Sequence, residues 1–395
     1  MSARRPLLVL LLLTGCELVD PVIGSSGGGI GELTCTEVAE CALLERLPEV
    51  VEETDVELPV PSCAQGMSTR VLEIDADTTL EAADLVCVSL HVDVLAGQDE
   101  GEDEGDPLGQ DEPPLVTLHV RGGHLASTSL SVRTTARAVA LVIDASRIDD
   151  TELLADGPVA LSLRDVYVHR TRLALHAPAI IAPPRVLVER GMLDQVSVEL
   201  PQGELRLHGT DTDHVVVDAA ALVVETGFVN HAIVRAGVVD ALGADVVRSR
   251  IEARHFVAAG GYFQAVHVAE CGSVMLHTVS VRSSLFAACE QPLRLEESGV
   301  YYSAFTGDLI ASSSRIVRSA LGGSRVDSDS EIVGSALCGV EHLTALSAAC
   351  VRCEPDAPPD VCADVSGDLD LCPGLCASTC ERFDRPTLEP ERCMR

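Results

Sequence analysis

The chain has 395 residues, of which 61 are acidic and 28 basic, and its formal net charge is −33 at neutral pH. A surface this acidic repels phosphate backbones, so the composition excludes nucleic acid as a partner. Aromatic residues make up 3% of the chain and tryptophan is absent, which disfavours sugar-binding clefts that stack rings on aromatic side chains. The 47% apolar content is ample for a hydrophobic core.

The first residues have the three zones of a secretory signal. Arg4 and Arg5 form a positive start, Pro6 to Leu13 is a short apolar run, and Thr14-Gly15 supplies small residues before Cys16. The apolar run is much shorter than the roughly 20 residues that a transmembrane helix needs. The pattern therefore predicts a signal peptide over residues 1–15, and its removal takes the formal charge from −33 to −35.

The sequence Leu13-Thr14-Gly15-Cys16 resembles the lipobox of bacterial lipoproteins. The resemblance implies that the Cys16 thiol receives a diacylglyceryl group, that the chain is cut before Cys16, and that the new N-terminus is acylated, typically with palmitate. Several acyl chains together anchor a protein stably. We therefore expect a cell-envelope protein whose partner is a membrane; the outer membrane is favoured over the inner one, and the lipobox alone leaves both open. An ordinary secretory signal that carries a cysteine is the alternative.

Two short regions follow the lipobox. Ser25-Ser26-Gly27-Gly28-Gly29 is typical of flexible coil and predicts a tether over residues 16–34. Helix-forming residues from Thr36 to Arg46, flanked by cysteines, predict a disulfide-stapled N-terminal cap with a short helix over residues 35–68. The cysteine-rich segment 350–395 is interpreted as the corresponding C-terminal cap.

The chain contains 15 cysteines, and lipidation of Cys16 leaves an even set of 14. In an exported protein such a set predicts seven disulfides, whose connectivity the spacing leaves open. A zinc site built on the Cys350–Cys353 pair is the alternative. The 14 disulfide candidates fall into three clusters: Cys35, Cys41, Cys63 and Cys87; Cys271 and Cys289; and Cys338, Cys350, Cys353, Cys362, Cys372, Cys376, Cys380 and Cys393.

Short apolar alternations between residues 69 and 349 predict half-buried strands. They recur at a fixed interval. Four residues that follow apolar strands are each 18 apart: Gln195, Asp213, His231 and Ser249. Four serines in similar contexts continue the series at intervals of 20, 16 and 16: Ser283, Ser303, Ser319 and Ser335. A repeat of 16 to 20 residues predicts a solenoid, in which stacked turns share one core.

This pattern resembles the parallel β-helix of the pectate-lyase-like group, in its right-handed form. The single asparagine, Asn230, rules out the asparagine ladders common in that group, and serines at the turns are expected to stack instead. A left-handed β-helix would require a regular aliphatic–glycine hexapeptide pattern that the chain lacks. An all-β sandwich is the alternative fold, because strand intervals of 8–12 residues also suit it.

Two acidic stretches are candidate calcium sites. The segment 97–114 interrupts two strands and carries eight carboxylates between Gln98 and Glu112, so it predicts a protruding acidic loop. Flexible acidic loops bind calcium weakly, but a solvated loop without any metal is the preferred interpretation. The candidate ligands are Asp99, Glu102, Asp103 and Glu104 in this loop, and Asp364, Asp368 and Asp370 near the C-terminus. No cofactor other than this weak calcium is predicted.

The sequence favours a protein that is not an enzyme. It contains no Walker loop, no dinucleotide fingerprint and no H-E-x-x-H, and its G-x-S-x-G string, residues 24–28, lies in the predicted glycine–serine tether rather than in a nucleophile elbow. Polysaccharide lyases with this fold place an arginine and several carboxylates on one face, and the nearest counterparts are Arg248, Arg282 and Arg318 with Asp211 and Asp213. Five histidines scattered through the strands are interpreted as structural: His124, His169, His208, His214 and His267.

The resulting hypothesis is a lipid-anchored, non-enzymatic scaffold of the cell envelope, structural or adhesive, whose solenoid offers a long rigid face to a protein partner or an envelope polysaccharide. A carbohydrate-active β-helix enzyme and a weak calcium-binding module are the alternatives. The architecture alone does not decide among them, because one fold serves many functions.

Overall fold

Strands make up nearly all of the structure, which is a computed structural model. It describes residues 63–95, 115–177 and 183–337, apart from positions 64, 136, 318, 322–324 and 334, with side chains up to 335, and the backbone of four short strands between 342 and 393. The strands form a parallel β-solenoid of about 12 turns. The helix in the described part is one 3-10 turn, Ala82–Leu85, and no helix there is long and apolar enough to cross a membrane.

The strands are longest in the middle of the chain. The first nine are β1 Ser68–Ile74, β2 Thr78–Glu81, β3 Val88–Val94, β4 Val116–Ala126, β5 Ser129–Thr134, β6 Val139–Asp149, β7 Glu152–Asp156, β8 Val159–Arg164 and β9 Tyr167–His176. The central nine are β10 Arg185–Glu189, β11 Met192–His208, β12 Asp211–Asn230, β13 Ile233–Val247, β14 Arg250–Ala259, β15 Tyr262–Gln264, β16 His267–Ala269, β17 Ser273–His277 and β18 Ser280–Arg282. Among these, β11, β12 and β13 have 17, 20 and 15 residues.

The remaining strands have two to four residues each. They are β19 Leu285–Phe286, β20 Leu293–Glu296, β21 Gly299–Tyr301, β22 Ala304–Phe305, β23 Leu309–Ser312, β24 Arg315–Val317, β25 Ala320–Leu321, β26 Arg325–Ser328, β27 Glu331–Val333, β28 Ala336–Leu337, β29 His342–Thr344, β30 Ser347–Ala349, β31 Arg352–Cys353 and β32 Arg392–Cys393.

Each strand pairs in parallel with the strand one turn later. Val216 pairs with Ile233, Ile233 with Arg250, and Arg250 with His267. Hydrogen bonds between equivalent positions of successive turns span 17 residues from Ala232 to Ser249 and 16 to 19 residues between positions 266 and 319. The predicted repeat is thereby confirmed. The alternative fold, a β-sandwich, is wrong for this chain. Among the described strands, β31 and β32 form the one antiparallel pair, and all the other pairs are parallel. The handedness of the solenoid stays a prediction.

One continuous core fills the solenoid. Alternate residues of each strand point inward, so that in β3 Val88, Leu90 and Val92 are buried while Ser89 and His91 are less so. The buried residues are mainly valine, leucine and isoleucine, and they form a single cluster from Ile74 to Ile332. In-register stacking thus buries the apolar face that no single turn covers alone.

One corner of the solenoid, which we call the first corner, repeats a left-handed residue on each described turn from Cys87 to Tyr302. The chain bends there at non-glycine residues with φ between 43° and 57°: Cys87, Ser127, Asp150, Arg170, Gln195, His214, His231, Arg248, Ala265, Ser283 and Tyr302. This conformation costs an L-residue about 1–2 kcal/mol. The backbone N–H of many of these residues donates to a carbonyl of the next turn, as in His231 to Val247, which holds the bend in place.

Directly after the first corner, buried hydroxyl groups form a ladder along the solenoid. Ser303 Oγ donates to the Tyr301 carbonyl at 2.9 Å and accepts from the Ser284 N–H at 3.2 Å. Ser319 bonds Val317 and Ser303 in the same way. Thr128, Thr151, Thr171, Ser249 and Ser335 occupy the equivalent position and are also buried. The expected stacking of serines is confirmed for Ser303, Ser319 and Ser335, whereas Ser283 occupies the left-handed position and Ser284 takes its place in the ladder.

Loss of one rung of this ladder should be measurable. We expect Ser303→Ala to lower the free energy of unfolding by about 1–3 kcal/mol, because the Ser284 N–H and one bond to the Tyr301 carbonyl lose their partner in a buried position. Urea unfolding followed by circular dichroism measures the change. The matched control is Ser313→Ala, at an exposed left-handed position, for which we expect less than about 0.5 kcal/mol. Equal effects of the two substitutions would contradict the ladder's role.

Two disulfides join parts of neighbouring turns. Cys63 bonds Cys87 near the start of the solenoid, and Cys271 bonds Cys289 across 18 residues, about one turn. Both pairs lie within the clusters that the sequence analysis grouped together. The predicted helix at 36–46, most of the cap 35–68 and nearly all of the cap 350–395 lie outside the described residues.

Candidate functional site

Polar side chains line the first corner one position before the left-handed residues. Asp149 pairs in register with His169, His169 with Asp194, and Asp194 with Asp213. Asn230 continues the row, because its amide donates to Asp213 Oδ1 at 2.9 Å. We call these five residues the corner column. Neighbouring strands lie about 4.8 Å apart, so stacking alone brings their side chains within contact distance.

Asp149 anchors the first end of the corner column. Its side chain is buried, His124 Nε2 lies 2.6 Å from Oδ2, and Arg147 donates to both carboxylate oxygens. Burial raises the pKa of Asp149, but the hydrogen bonds from Arg147 and His124 outweigh it, so the pKa is lowered from its ordinary value. The carboxylate is therefore charged and fully partnered, as in a structural ion pair.

The lowered pKa of Asp149 predicts a pH-dependent contribution to stability. We expect Asp149→Asn to cost about 1.5–3 kcal/mol at neutral pH, because it removes charge-assisted hydrogen bonds. Since the folded pKa lies below the unfolded one, this contribution is complete above pH about 4 and is lost as pH falls through the folded pKa. Urea unfolding of both proteins from pH 7 to about pH 2.5 measures it.

Asp144 on the same strand offers the control for this experiment, because its side chain is 71% exposed. We expect Asp144→Asn to change stability by less than about 0.5 kcal/mol at every pH. A gap between wild type and Asp149→Asn that stays constant down to the lowest pH would show that the carboxylate charge is not the stabilising element.

The middle of the corner column is a tyrosine–histidine–aspartate group. Asp194 Oδ2 accepts from the Tyr167 hydroxyl at 3.0 Å and lies 3.0 Å from His169 Nδ1. Burial raises the pKa of Tyr167, and the hydrogen bond to Asp194 raises it further. Arg147 lies over the Tyr167 ring, 5.3 Å from its centroid. Tyr167 is thus a neutral donor that completes the hydrogen bonding of Asp194.

At the far end of the corner column, the Asp213 carboxylate contacts the imidazole rings of two histidines. Asp213 Oδ1 lies 3.0 Å from His231 Nδ1 and 3.2 Å from His214 Nδ1. The two rings stack with centroids 4.6 Å apart and planes 16° from parallel. One donor atom from each residue lies within 4.8 Å of the others, a spacing that suits a shared metal ion. We call Asp213, His214 and His231 the Asp–His cluster.

The side chains predicted as sites are only partly described. Cys16 and the calcium candidates Asp99, Glu102, Asp103, Glu104, Asp364, Asp368 and Asp370 lie outside the described residues. Of the disulfide candidates, Cys63, Cys87, Cys271 and Cys289 form bonds. The other ten lie outside the part of the chain whose side chains are described: Cys35, Cys41, Cys338, Cys350, Cys353, Cys362, Cys372, Cys376, Cys380 and Cys393.

The arginines and aspartates that were compared with the catalytic face of polysaccharide lyases do not form one site. Arg248 occupies a left-handed corner position, whereas Arg282 lies one position earlier on its own turn, beside the Tyr302 ring. Asp211 accepts the Phe228 N–H and so stabilises a bend, while Asp213 faces the histidines. Arg318 lies at an undescribed position. Arg248 and Arg282 therefore do not form a stripe beside Asp211 and Asp213, the arrangement that the enzyme alternative requires.

A shallow open groove elsewhere does combine arginines with carboxylates on adjacent turns. Asp218, Arg235 and Glu252 are register partners in its floor, and Arg254 and Glu270 also line it. Glu252 is bound to Arg250 at 2.6 Å and to Arg235 at 3.3 Å. Glu252 is therefore held in ion pairs with the two arginines beside it.

Sequence reasoning missed the corner column because its residues share no motif and are set together only by the register of the turns. The histidines were interpreted as structural, and His124, His169 and His208 do each pair with a carboxylate. Burial, and then the nearby Arg250, lower the pKa of His267. Comparison of the chain with known protein families, with curated proteins and with solved structures found no match.

Proposed function

We propose that this protein is a non-enzymatic scaffold of the cell envelope, tethered by a lipid on Cys16. The observation that carries the proposal is the stack of parallel turns in the described residues, where histidines and aspartates of the first corner pair with one another. Such a stack is a rigid surface, and the paired groups of its corner column are not free for catalysis.

Two further features support an exported, rigid body. Disulfides persist in oxidising compartments, and the Cys63–Cys87 and Cys271–Cys289 bonds fit a chain that has left the cytoplasm. The lipobox ending at Cys16 supplies the export route and the anchor, and the glycine-rich segment 24–29 separates the anchor from the solenoid. The partner that suits the long acidic solenoid is a protein or an envelope polysaccharide, and the membrane that suits the anchor is the outer one.

Membrane fractionation tests the anchoring part of the proposal. The full-length chain is produced in a bacterium that processes lipoproteins, beside Cys16→Ser and the tether control Ser25→Ala. We expect wild type and Ser25→Ala in the outer-membrane fraction, resistant to high salt and released by detergent, and Cys16→Ser in the soluble or inner-membrane fraction as unprocessed chain. Co-fractionation of Cys16→Ser with wild type would overturn the proposal.

The groove floored by Asp218, Arg235 and Glu252 favours a carbohydrate-active enzyme as the second candidate function. An enzyme there needs at least one of its carboxylates for acid–base chemistry. Product release from acidic and neutral envelope polysaccharides by wild type, abolished in Glu252→Gln but retained in the exposed control variant Asp144→Asn, would support the enzyme. The scaffold proposal expects no release by any of the three proteins.

A further inference from the structure

The Asp–His cluster places three metal-ligating side chains around one point on the outer surface. Both imidazole Nδ1 atoms face the same oxygen, Oδ1 of Asp213, at 3.0 Å and 3.2 Å. All three residues are partly buried, with side-chain exposures of 20% for His231, 34% for Asp213 and 45% for His214. The site is thus open to a small ion from solvent on one side and bounded by the sheet on the other.

The backbone holds this arrangement in place without a ligand. His214 and His231 occupy the same left-handed position of consecutive turns, with φ of 52° and 47°. Identical positions of stacked turns project their side chains in the same direction, which is why the rings stack 4.6 Å apart, close to the ordinary strand spacing. A site formed by the fold itself avoids most of the ordering cost of binding.

The distances within the cluster fit a metal ion of the zinc class. A tetrahedral ion with bonds of about 2.0–2.1 Å to nitrogen and oxygen sets neighbouring ligand atoms about 3.3 Å apart, slightly more than the oxygen-to-nitrogen distances of 3.0 Å and 3.2 Å. The ion binds the tautomer of each ring that carries its proton on Nε2, which leaves Nδ1 free to ligate, and the two oxygen-to-nitrogen distances lengthen by a few tenths of an ångström. The Asn230 amide, donating to Asp213 Oδ1 at 2.9 Å, orients the carboxylate as outer-shell partners of metal sites do.

The electrostatic surroundings favour a cation. The chain carries a formal charge of −33, and the Asp194 carboxylate is in register with Asp213. Arg248, at the next left-handed position after His231, is the opposing charge. A negative surface raises the local concentration of cations.

From this geometry we propose that Asp213, His214 and His231 bind one divalent transition-metal ion, Zn²⁺ or a cation of the same class, with one coordination position open to solvent. This binding site goes beyond the scaffold function and does not depend on it. Two nitrogen ligands distinguish the site from a calcium site, which takes six to eight oxygens. Affinity should follow the order for imidazole sites, with Cu²⁺ above Zn²⁺ and Ca²⁺ without measurable binding.

Metal titration of the purified, oxidised full-length protein tests the proposal. After chelator treatment in detergent, Zn²⁺ is added to wild type, His214→Gln, His231→Gln and the control His169→Gln, which removes an imidazole facing only one carboxylate. We expect both cluster variants to lose one equivalent of Zn²⁺ or to bind it at least about tenfold more weakly. His169→Gln should bind as wild type does.

A spectroscopic readout separates ligation from a loss of structure. With one equivalent of Cu²⁺, electron paramagnetic resonance should show coupling to two nitrogens in wild type and His169→Gln, but to one in either cluster variant. Far-ultraviolet circular dichroism and the melting temperature should be unchanged in the metal-free variants. Equal Zn²⁺ stoichiometry and affinity in wild type and both cluster variants, or the same nitrogen count in all four proteins, would overturn the site.

Discussion

Gly261→Ala should be among the most damaging single substitutions in the solenoid, lowering the free energy of unfolding by about 3–5 kcal/mol. A Cβ at this position would lie 2.0 Å from the Ala244 carbonyl oxygen of the preceding turn and 2.9 Å from its carbon. These are backbone atoms held by the sheet, so the overlap is relieved only by separating two turns. The estimate combines about 1–3 kcal/mol for overpacking with about 1–2 kcal/mol for a side chain at φ of 90°.

The neighbouring glycine separates these two causes. Gly260 also has positive φ, 73°, but the nearest atom to an added Cβ is 3.6 Å away. Gly260→Ala therefore has the cost of the left-handed backbone conformation without any steric overlap. We expect it to cost about 1–2 kcal/mol. Urea midpoints of wild type and both variants, followed by circular dichroism, measure the difference. A Gly261→Ala protein no less stable than Gly260→Ala would show that the turns are not stacked as closely as described.

Phe286→Ala should lower the free energy of unfolding by about 3–5 kcal/mol, the range for removing a buried phenylalanine. Phe286 is 1% exposed and stacks on Phe305 of the next turn, with ring centroids 5.1 Å apart and planes 8° from parallel. The two residues are register partners, so the substitution leaves a cavity between turns that the flanking backbone cannot close. Thermal and urea unfolding both report the change.

Two further substitutions bracket this prediction. Phe286→Leu keeps most of the buried volume and should cost less than about 1.5 kcal/mol. Phe228→Ala removes a ring that is 40% exposed, and we expect a change below about 1 kcal/mol. If Phe286→Ala were as mild as Phe228→Ala, the core of these C-terminal turns would be too loosely packed for the stacked pair to matter.

The period of the solenoid was predictable from the sequence, but the register of its corners was not. Gln195 and His231 occupy left-handed corner positions, whereas Asp213 lies one residue before His214, the true corner residue. Ser249 lies one residue after Arg248, in the buried ladder. The left-handed residues from Gln195 to Arg248 are 19, 17 and 17 apart, so the apparent 18-residue interval is close to their average. The sequence does not mark the corner itself, because a corner accepts small, polar or charged residues alike when hydrogen bonds between turns fix its conformation.

The corner column shows the same limit for the candidate site. Asp213 and His231 are far enough apart in sequence that nothing local links them, and they meet only because 17 or 18 residues close one turn.

The cysteine clusters were more informative, because the even number of cysteines in each cluster and the predicted export constrain the pairing without any knowledge of the register. They correctly grouped Cys63 with Cys87 and Cys271 with Cys289.

The measurement that tests the central claim most directly is the mass of the N-terminal peptide of the protein isolated from membranes. In the proposed function, lipid attachment to Cys16 sets both the compartment in which the disulfides form and the surface on which the solenoid is displayed. We predict that the peptide begins at Cys16 and carries a thioether-linked diacylglyceryl group together with an acyl chain on its amino group. A mature chain that begins elsewhere, or that contains Cys16 as a free thiol or in a disulfide, would contradict the account.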